Sequence, residues 1–157
     1  MSMTIRLPYS MQTSTGSHQG EFGLTYNGYS DNTSWGAQGL LTSSLGKNDE
    51  AYEPGKKSQV TGWAAFAFSN SVSASMRLKY SSSDEISGAD NKISAPVSTA
   101  NPDNYGADIL DFAIGVNTVL DSKHRVAVEY SVPLNYKVNG VQMDMESMLT
   151  LGYQIAF

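Results

Sequence analysis

The chain of 157 residues lacks cysteine, so it offers neither disulfide bonds nor thiolate ligands for a metal. Positive charge is scarce as well: Lys+Arg number 10 against 15 Asp+Glu, and the formal net charge is -5. A nucleic-acid partner is not expected, because nothing in this composition supplies a basic stripe to neutralise phosphates. The length suits a single domain covering residues 1–157.

Long apolar runs are also missing. Residues 63–68 form one of the longest, far below the roughly 20 apolar residues that a membrane-spanning helix needs. The mean hydropathy of -0.29 is still compatible with a membrane β-barrel, because only every second residue of a strand meets lipid. No signal peptide is visible after Met1, so an exported protein would have lost its signal, or the sequence is a fragment.

Apolar residues recur at every second position in about eight segments, which predicts β-strands because successive strand side chains point to opposite faces. The clearest is 147–157, where apolar side chains from Leu149 to Phe157 alternate with small or polar ones. The other segments are residues 5–12, 21–26, 35–42, 64–68, 73–81, 110–117 and 126–137. Pro133 cannot donate to a strand ladder and therefore predicts a bulge or a strand end.

The predicted connections alternate in length. Short turns near residues 27–32, 69–71 and 121–123 alternate with longer loops at 46–58, 82–107 and 139–144. Bacterial outer-membrane barrels have short periplasmic turns and longer extracellular loops. We therefore predict an all-β fold, an antiparallel up-and-down transmembrane β-barrel of about eight strands. An even strand number would place both ends of the chain on the short-turn, periplasmic side.

The polar rows of these strands carry charges that we expect to face the barrel lumen. They are Arg6, Glu21, Arg77, Lys79, Asp111, Glu129 and Lys137. One interpretation is a charged lumen that selects solutes, and the other is a plug of paired side chains. We favour the plug, since a barrel of about eight strands is just wide enough to be filled and buried charges need partners. The expected pairs join Glu129 and Asp111 to Arg77 or Arg6.

The apolar rows carry aromatic residues near the predicted strand ends, as in the aromatic girdles of membrane barrels. They are Trp35, Phe68, Tyr80, Tyr136, Tyr153 and Phe157. The aromatic final strand resembles the signal that barrel-insertion machinery reads. The expected partners are therefore outer-membrane lipid and that machinery, with a monomer for a complete barrel and a dimer as the alternative for a fragment.

Nothing in the sequence indicates an enzyme, a cofactor or a metal. His124 lies beside a short turn without an acidic residue placed to orient it toward a serine, so a surface histidine is favoured over a lipid-hydrolase triad. The acidic residues of loop 82–107, among them Asp84 and Asp90, fit no calcium-loop spacing. A solvated acidic loop is therefore the simpler interpretation.

Several short stretches resemble the outer-membrane family known as the MetA-pathway of phenol degradation family, and they follow one another in order over nearly the whole chain. They are residues 7–12 (LPYSMQ), 23–26 (GLTY), 35–38 (WGAQ), 45–46 (LG), 73–77 (SASMR), 102–103 (PD), 124–129 (HRVAVE), 139–142 (NGVQ) and 151–154 (LGYQ). One departure is residues 13–16 (TSTG), where the family tends to Gly-Ser-Gly-Thr. The similarity covers the C-terminal part of a typical, longer member.

This resemblance implies an outer-membrane location and a role in the uptake of hydrophobic or aromatic compounds. It carries no catalytic residues over to this chain. Three functions remain open: a passive channel or transporter, a closed structural or adhesion barrel without transport, and a lipid-modifying hydrolase, which we consider the weakest. If the chain is a portion of a larger barrel, it has to close with fewer strands or pair with a second copy, since open edges cannot face lipid.

Overall fold

The computed structural model describes residues 6–121 and 123–157. In this part of the chain a single antiparallel sheet contains seven strands in chain order, which confirms the all-β antiparallel prediction. The strands are β1 (Gln19–Ser30), β2 (Thr33–Ser44), β3 (Lys57–Ala67), β4 (Val72–Ser83), β5 (Ala107–Leu120), β6 (His124–Val138) and β7 (Met148–Ile155). Three 3-10 helices lie outside the sheet, at Tyr9–Met11, Ser98–Ala100 and Pro102–Asn104. No helix in these residues is long and apolar enough to span a membrane.

Short and long connections lie at opposite ends of the sheet, as the sequence predicts. The connections after Ser30, Ala67 and Leu120 lie at one end, here called the short-turn end. Residues 45–56, 84–106 and 139–147 join strands at the other, the long-loop end. Asp31 (φ 42) and Asp121 (φ 50) adopt the left-handed backbone. Aspartate tolerates this conformation better than most residues, and at Asp31 the conformation lets the two-residue turn 31–32 follow the twist of its strands.

The prediction of a strand at residues 5–12 is wrong where it can be checked. Ile5 lies outside the described residues, and Tyr9–Met11 form a 3-10 helix instead of a strand. Pro8 precedes this helix and lacks the N–H that a ladder requires. The Tyr9 ring packs edge-on against Tyr52 and Tyr105 of two long loops. Contacts with the loops, and not with a neighbouring strand, therefore fix this segment.

The odd strand count also corrects the expected topology. The chain enters β1 from the long-loop end, where the His18 carbonyl accepts from Leu45 N at 2.9 Å and the Thr15 carbonyl accepts from Asn48 Nδ2 at 2.7 Å. It leaves β7 at the short-turn end, where Ala156 N donates to the Lys123 carbonyl. Among the described residues, the segment before β1 therefore lies at the long-loop end and not at the short-turn end that an even strand number would give, since β1 and β7 run in the same direction.

A β-bulge interrupts β6 at the predicted proline. Asp111 of β5 pairs with Pro133, whereas the adjacent Leu110 pairs with Asn135, so Leu134 is the extra residue. The register shift confirms the bulge that Pro133 predicts. A bulge adds one residue to one strand of a pair and reverses the faces of the residues beyond it.

This reversal overturns two predicted positions. Lys137 pairs with Asp108, on the face that also carries Leu110. Tyr136 pairs with Ile109, and its hydroxyl donates to the Met143 carbonyl at 2.8 Å. Lys137 therefore does not lie on the polar face, and Tyr136 does not lie on the apolar face, because the predicted alternation assumed an unbroken strand.

The sheet is buried on one side only. Thr61, Ala113 and Ser131 are buried at 7%, 1% and 8% exposure, and all three lie on the polar face. Leu24 and Leu151 on the opposite face are 73% and 72% exposed. The centre of the polar face is therefore the least exposed part of the sheet, whereas large side chains on the apolar face are exposed. The ordering of strands runs from β1 to β7, and these two strands form its edges.

Candidate functional site

An ion pair spans three strands at the centre of the polar face. Arg77 on β4 donates from Nε to Glu129 Oε2 on β6 at 3.2 Å, and a second bond joins Nη2 to Oε1. The strand between them, β5, contributes Ala113 and Gly115 at this level. A Cβ atom on Gly115 would lie 2.9 Å from Ser75 Oγ and 3.2 Å from the Val128 carbonyl oxygen. Small residues on β5 thus leave the space that the bridge crosses.

A second ion pair lies beside the first. Lys79 and Asp111 are direct partners on β4 and β5, and Lys79 Nζ lies 2.9 Å from Asp111 Oδ2. Both side chains are mostly buried, at 25% and 17% exposure. Two opposite charges in reduced contact with water stabilise each other more than exposed ones do. The four charged groups sum to zero, so the centre of the polar face combines strong local dipoles with little net charge.

Uncharged and acidic groups extend the polar face toward β1. Gln38 Nε2 donates to Thr25 Oγ1 at 2.9 Å, and Thr42 Oγ1 donates to Glu21 Oε2 at 3.1 Å. Both contacts join β1 to β2. Glu21 therefore lies on the polar face as expected, with a hydroxyl partner instead of a cation.

Trp63 provides an aromatic surface within this polar face. It is the direct β3 partner of Arg77, and its indole covers Gly36 on β2 so closely that a Cβ there would collide with the ring. The sequence interpretation overlooked it, although the alternation of Ala64 and Phe66 on the apolar face already assigns Trp63 to the other one. The polar face thus offers both paired charges and one large apolar ring.

Arg6 does not belong to this site. Its Nε donates to Asp90 Oδ2 at 2.8 Å, and its Nη2 lies 3.8 Å from Glu50 Oε1. Both carboxylates belong to long loops, and this hydrogen bond with Asp90 raises the pKa of Arg6. Of the two cations expected beside Glu129 and Asp111, the structure therefore brings only Arg77 to the polar face.

Arg6 instead joins a cluster at the long-loop end, here called the loop cap, of Arg6, Tyr9, Tyr52, Asp90 and Tyr105. Tyr52 and Asp90 are only 2% and 3% exposed. The Tyr9 ring lies 4.8 Å from that of Tyr52, and Asp90 N donates to Tyr9 Oη at 2.8 Å. Burial raises the pKa of the Tyr52 phenol. No periodic pattern in the sequence indicates this cluster, because its members come from three separate non-strand segments.

The predicted aromatic girdle residues lie near both ends of the strands. Trp35 and Tyr153 lie on the apolar face toward the short-turn end, Phe68 lies in a turn there, and Phe157 follows the end of β7. Tyr80 lies toward the long-loop end, where its hydroxyl donates to Asp108 Oδ1 at 3.0 Å.

His124 has a partner different from the one that hydrolase chemistry needs. Its Nδ1 lies 2.6 Å from Tyr153 Oη, and the two rings stack at 5.9 Å. A tyrosine in this position gives no nucleophile with a base and an orienting acid. Among residues 6–121 and 123–157, no group of three or more His, Asp or Glu side chains could hold a metal ion.

Comparison with known proteins gives no family for the chain. No family model matches it, and neither a curated protein nor a solved structure is significantly similar to it. The resemblance to the MetA-pathway of phenol degradation family therefore stays a prediction from short motifs.

Proposed function

We propose that this chain is an integral β-barrel protein of the bacterial outer membrane that acts as a passive channel for small hydrophobic or aromatic compounds. The distribution of side chains between the two faces of the sheet is the observation that supports the proposed membrane location. Large apolar residues are exposed on one face, whereas the buried and ion-paired residues lie on the other. A water-soluble sheet has the reverse arrangement, because it packs its apolar face and wets its polar one.

The charges of the described strands support the same location. On the polar face lie Glu21, Lys57, Arg77, Lys79, Asp111, Arg125 and Glu129. On the apolar face the charged residues are Asp108 and Lys137, which face each other at the long-loop end. A lysine or arginine facing lipid at mid-membrane costs about 2–4 kcal/mol, and the cost falls toward the interface. The observed segregation avoids that penalty.

The height of the apolar face also suits a membrane. On β4 it runs from Val72 to Tyr80 without a charged residue. Eight steps along a strand cover roughly 26 Å, which corresponds to about 20 Å of height at a tilt of about 40°. The apolar band of outer-membrane barrels is roughly 25 Å tall.

The strands are staggered as tilted barrel strands are. The row of direct partners that begins at Leu151, in the middle of β7, ends at Ser30, the last residue of β1. It passes through Val128, Val116, Ala74, Phe66 and Thr33. Such a displacement across the sheet is the shear that barrel closure requires.

The proposed solute path follows the polar face. Trp63 offers an aromatic solute a ring to stack against, although its indole already covers Gly36 and the Arg77–Glu129 bridge passes over β5. The two central ion pairs, Arg77–Glu129 and Lys79–Asp111, balance each other, so a neutral solute meets no net charge there.

The alternative is a closed structural barrel whose lumen these side chains fill. One observation favours it: Thr61, Ala113 and Ser131 are already buried at the centre of the polar face. In a narrow barrel the same ion pairs would act as a plug, because a barrel of about eight strands has little more room than its side chains occupy.

The membrane location is tested with two adjacent β1 residues that point to opposite faces. Leu24→Arg places a charge on the apolar face, and Thr25→Arg places the same charge on the polar face. We expect Leu24→Arg to reduce assembly into vesicles at least tenfold in flotation and urea-extraction assays. The Thr25→Arg control should float like the unmodified protein. Equal behaviour of the two variants, or a soluble unmodified protein, contradicts the proposed location.

The channel is tested separately, in planar bilayers and by phenol flux into vesicles. We expect steady conductance, with Glu129→Gln shifting selectivity toward anions because Arg77 loses its counter-charge. Leu24→Ala, on the opposite face, should leave conductance unchanged. Silence from membrane-inserted protein, together with conductance after Arg77→Ala and Glu129→Ala are combined, would instead establish the plugged barrel.

A further inference from the structure

The two edge strands of the sheet run in the same direction. Each of the six strand pairings is antiparallel, so the direction reverses six times between β1 and β7. Both therefore run from the long-loop end to the short-turn end. A direct pairing of β1 with β7 would be the one parallel pairing in an otherwise antiparallel sheet.

Side-chain exposure shows that these edges are uncovered. All residues of β7 are exposed, including Thr150 and Gln154 on the polar face. At the centre of the sheet, by contrast, Ala113 on the same face is almost fully buried. Beyond the pairing of Ser131 with Met148, residues 132–138 of β6 also lack a partner on the β7 side. Neither edge therefore has a partner strand among the described residues, and residues 132–138 of β6 extend the unpaired edge toward the long loops. In a barrel, the gap between these two edges is here called the opening.

We propose that one extended polypeptide segment from outside residues 6–157 occupies this opening and pairs antiparallel with both β1 and β7. To do so it runs from the short-turn end to the long-loop end. The proposal rests on the membrane location proposed above, where unpaired strand edges cannot face lipid, but it does not require solute passage. A strand that crosses a membrane at a tilt has roughly 9–11 residues.

The chemistry of the two edges specifies this segment. Leu24 and Leu151 on the apolar face require apolar side chains at alternate positions of the occupant. Thr25 and Gln154 on the polar face require small or polar residues at the positions between. Backbone hydrogen bonds then give affinity and the alternating side chains give specificity, as in other cases of strand addition.

A second copy of the chain does not meet the requirement. In the same membrane orientation it offers only its own β1 and β7 as free edges. Both of these strands run in the same direction as the β1 and β7 that they would have to pair with, so the pairing would be parallel. Pairing them antiparallel would turn one copy upside down and place its long loops on the opposite side of the membrane.

The absence of cysteine allows a clean cross-linking test. The probe is a synthetic peptide copying residues 72–83 of β4, whose apolar residues alternate without a proline and whose native neighbours are not edge strands, with cysteine in place of its Met76. It is offered during refolding into vesicles to chains carrying Leu24→Cys or Leu151→Cys. Met76→Cys is the matched control, because it lies on the same exposed face but in the centre of the sheet.

We expect disulfide formation with the peptide to be at least tenfold higher at Leu24→Cys and Leu151→Cys than at Met76→Cys. A peptide with proline at alternate positions should lose this preference, because proline cannot donate to the ladder. Equal labelling of all three positions would overturn the proposal. So would an oxidised bond between Leu24→Cys and Leu151→Cys placed in one chain, which shows direct closure, or between two chains, which shows a second copy. Flotation of the same vesicles tells these outcomes apart from a failure of the membrane location.

Discussion

Breaking the bridge between Arg77 and Glu129 should destabilise the sheet, and the size of the effect depends on how exposed the two side chains are. The two side chains are 28% and 31% exposed. Fully exposed pairs contribute less than about 1 kcal/mol, whereas removing one member of a buried pair costs about 3–5 kcal/mol. Two parallel N–H···O bonds strengthen such a pair. We therefore expect Arg77→Met and Glu129→Gln each to lower the free energy of unfolding by about 2 kcal/mol.

The coupling between the two residues is the quantity that tests this reasoning. A double-mutant cycle, measured by urea unfolding in vesicles, should give about 1.5 kcal/mol of interaction energy between them. Arg125→Met is the control, since Arg125 also projects from β6 but donates to the neutral Asn117 Oδ1 at 2.8 Å. It should change stability by less than about 0.5 kcal/mol. A coupling energy below about 0.5 kcal/mol would refute the claim that the bridge braces the three strands.

Three further outcomes test the other contacts. Gly36→Val should displace the Trp63 indole, shift its fluorescence to the red and cost about 2 kcal/mol, whereas retained emission would contradict the contact. Asp90→Asn should accelerate amide hydrogen exchange in residues 9–12, because Arg6 loses the nearer of its two carboxylate partners; unchanged exchange would show that the contact with Asp90 does not hold this segment in place. Burial raises the pKa of Tyr52 in the folded protein. The stability that the neutral phenol contributes to the loop cap is therefore fully present below the unfolded pKa of about 10. This contribution is lost as the pH rises through the higher folded pKa. Tyr52→Phe should remove one phenol whose raised pKa delays its ionisation in absorbance titration, and a wild-type titration identical to that of Tyr52→Phe would contradict this.

Local alternation made the sheet predictable. The polarity of a strand residue indicates which face of the sheet it lies on. The strand β4 can therefore be predicted from the sequence Val72–Ser83 without knowledge of the neighbouring strands. Connection lengths likewise follow from where alternation stops. Lys79 and Asp111 could be placed on one face in this way, and so could Arg77 and Glu129, although the pairing among the four depends on a register that the sequence does not contain.

Long-range packing was not predictable by the same means. Residues 5–12 alternate as a strand does, yet Tyr9 is held by Tyr52 and Tyr105 from loops far along the chain. Arg6 follows this segment to Asp90 instead of the polar face. Alternation describes only whether neighbouring side chains diverge, so a loop whose side chains happen to alternate gives the same pattern as a strand.

The bulge at Leu134 resolves an electrostatic problem that the alternation pattern alone creates. Asp108 lies on the apolar face by the parity of β5. If β6 were unbroken, Lys137 would fall on the polar face and leave this carboxylate without a cation opposite it. The extra residue brings Lys137 opposite Asp108, where the Tyr80 hydroxyl also donates to the carboxylate at 3.0 Å. A charge at the edge of an apolar band is tolerated when it is hydrogen-bonded and close to water, as Asp108 is. Pro133, which interrupts the ladder, thus allows the apolar face to end in a satisfied polar cluster at the long-loop end.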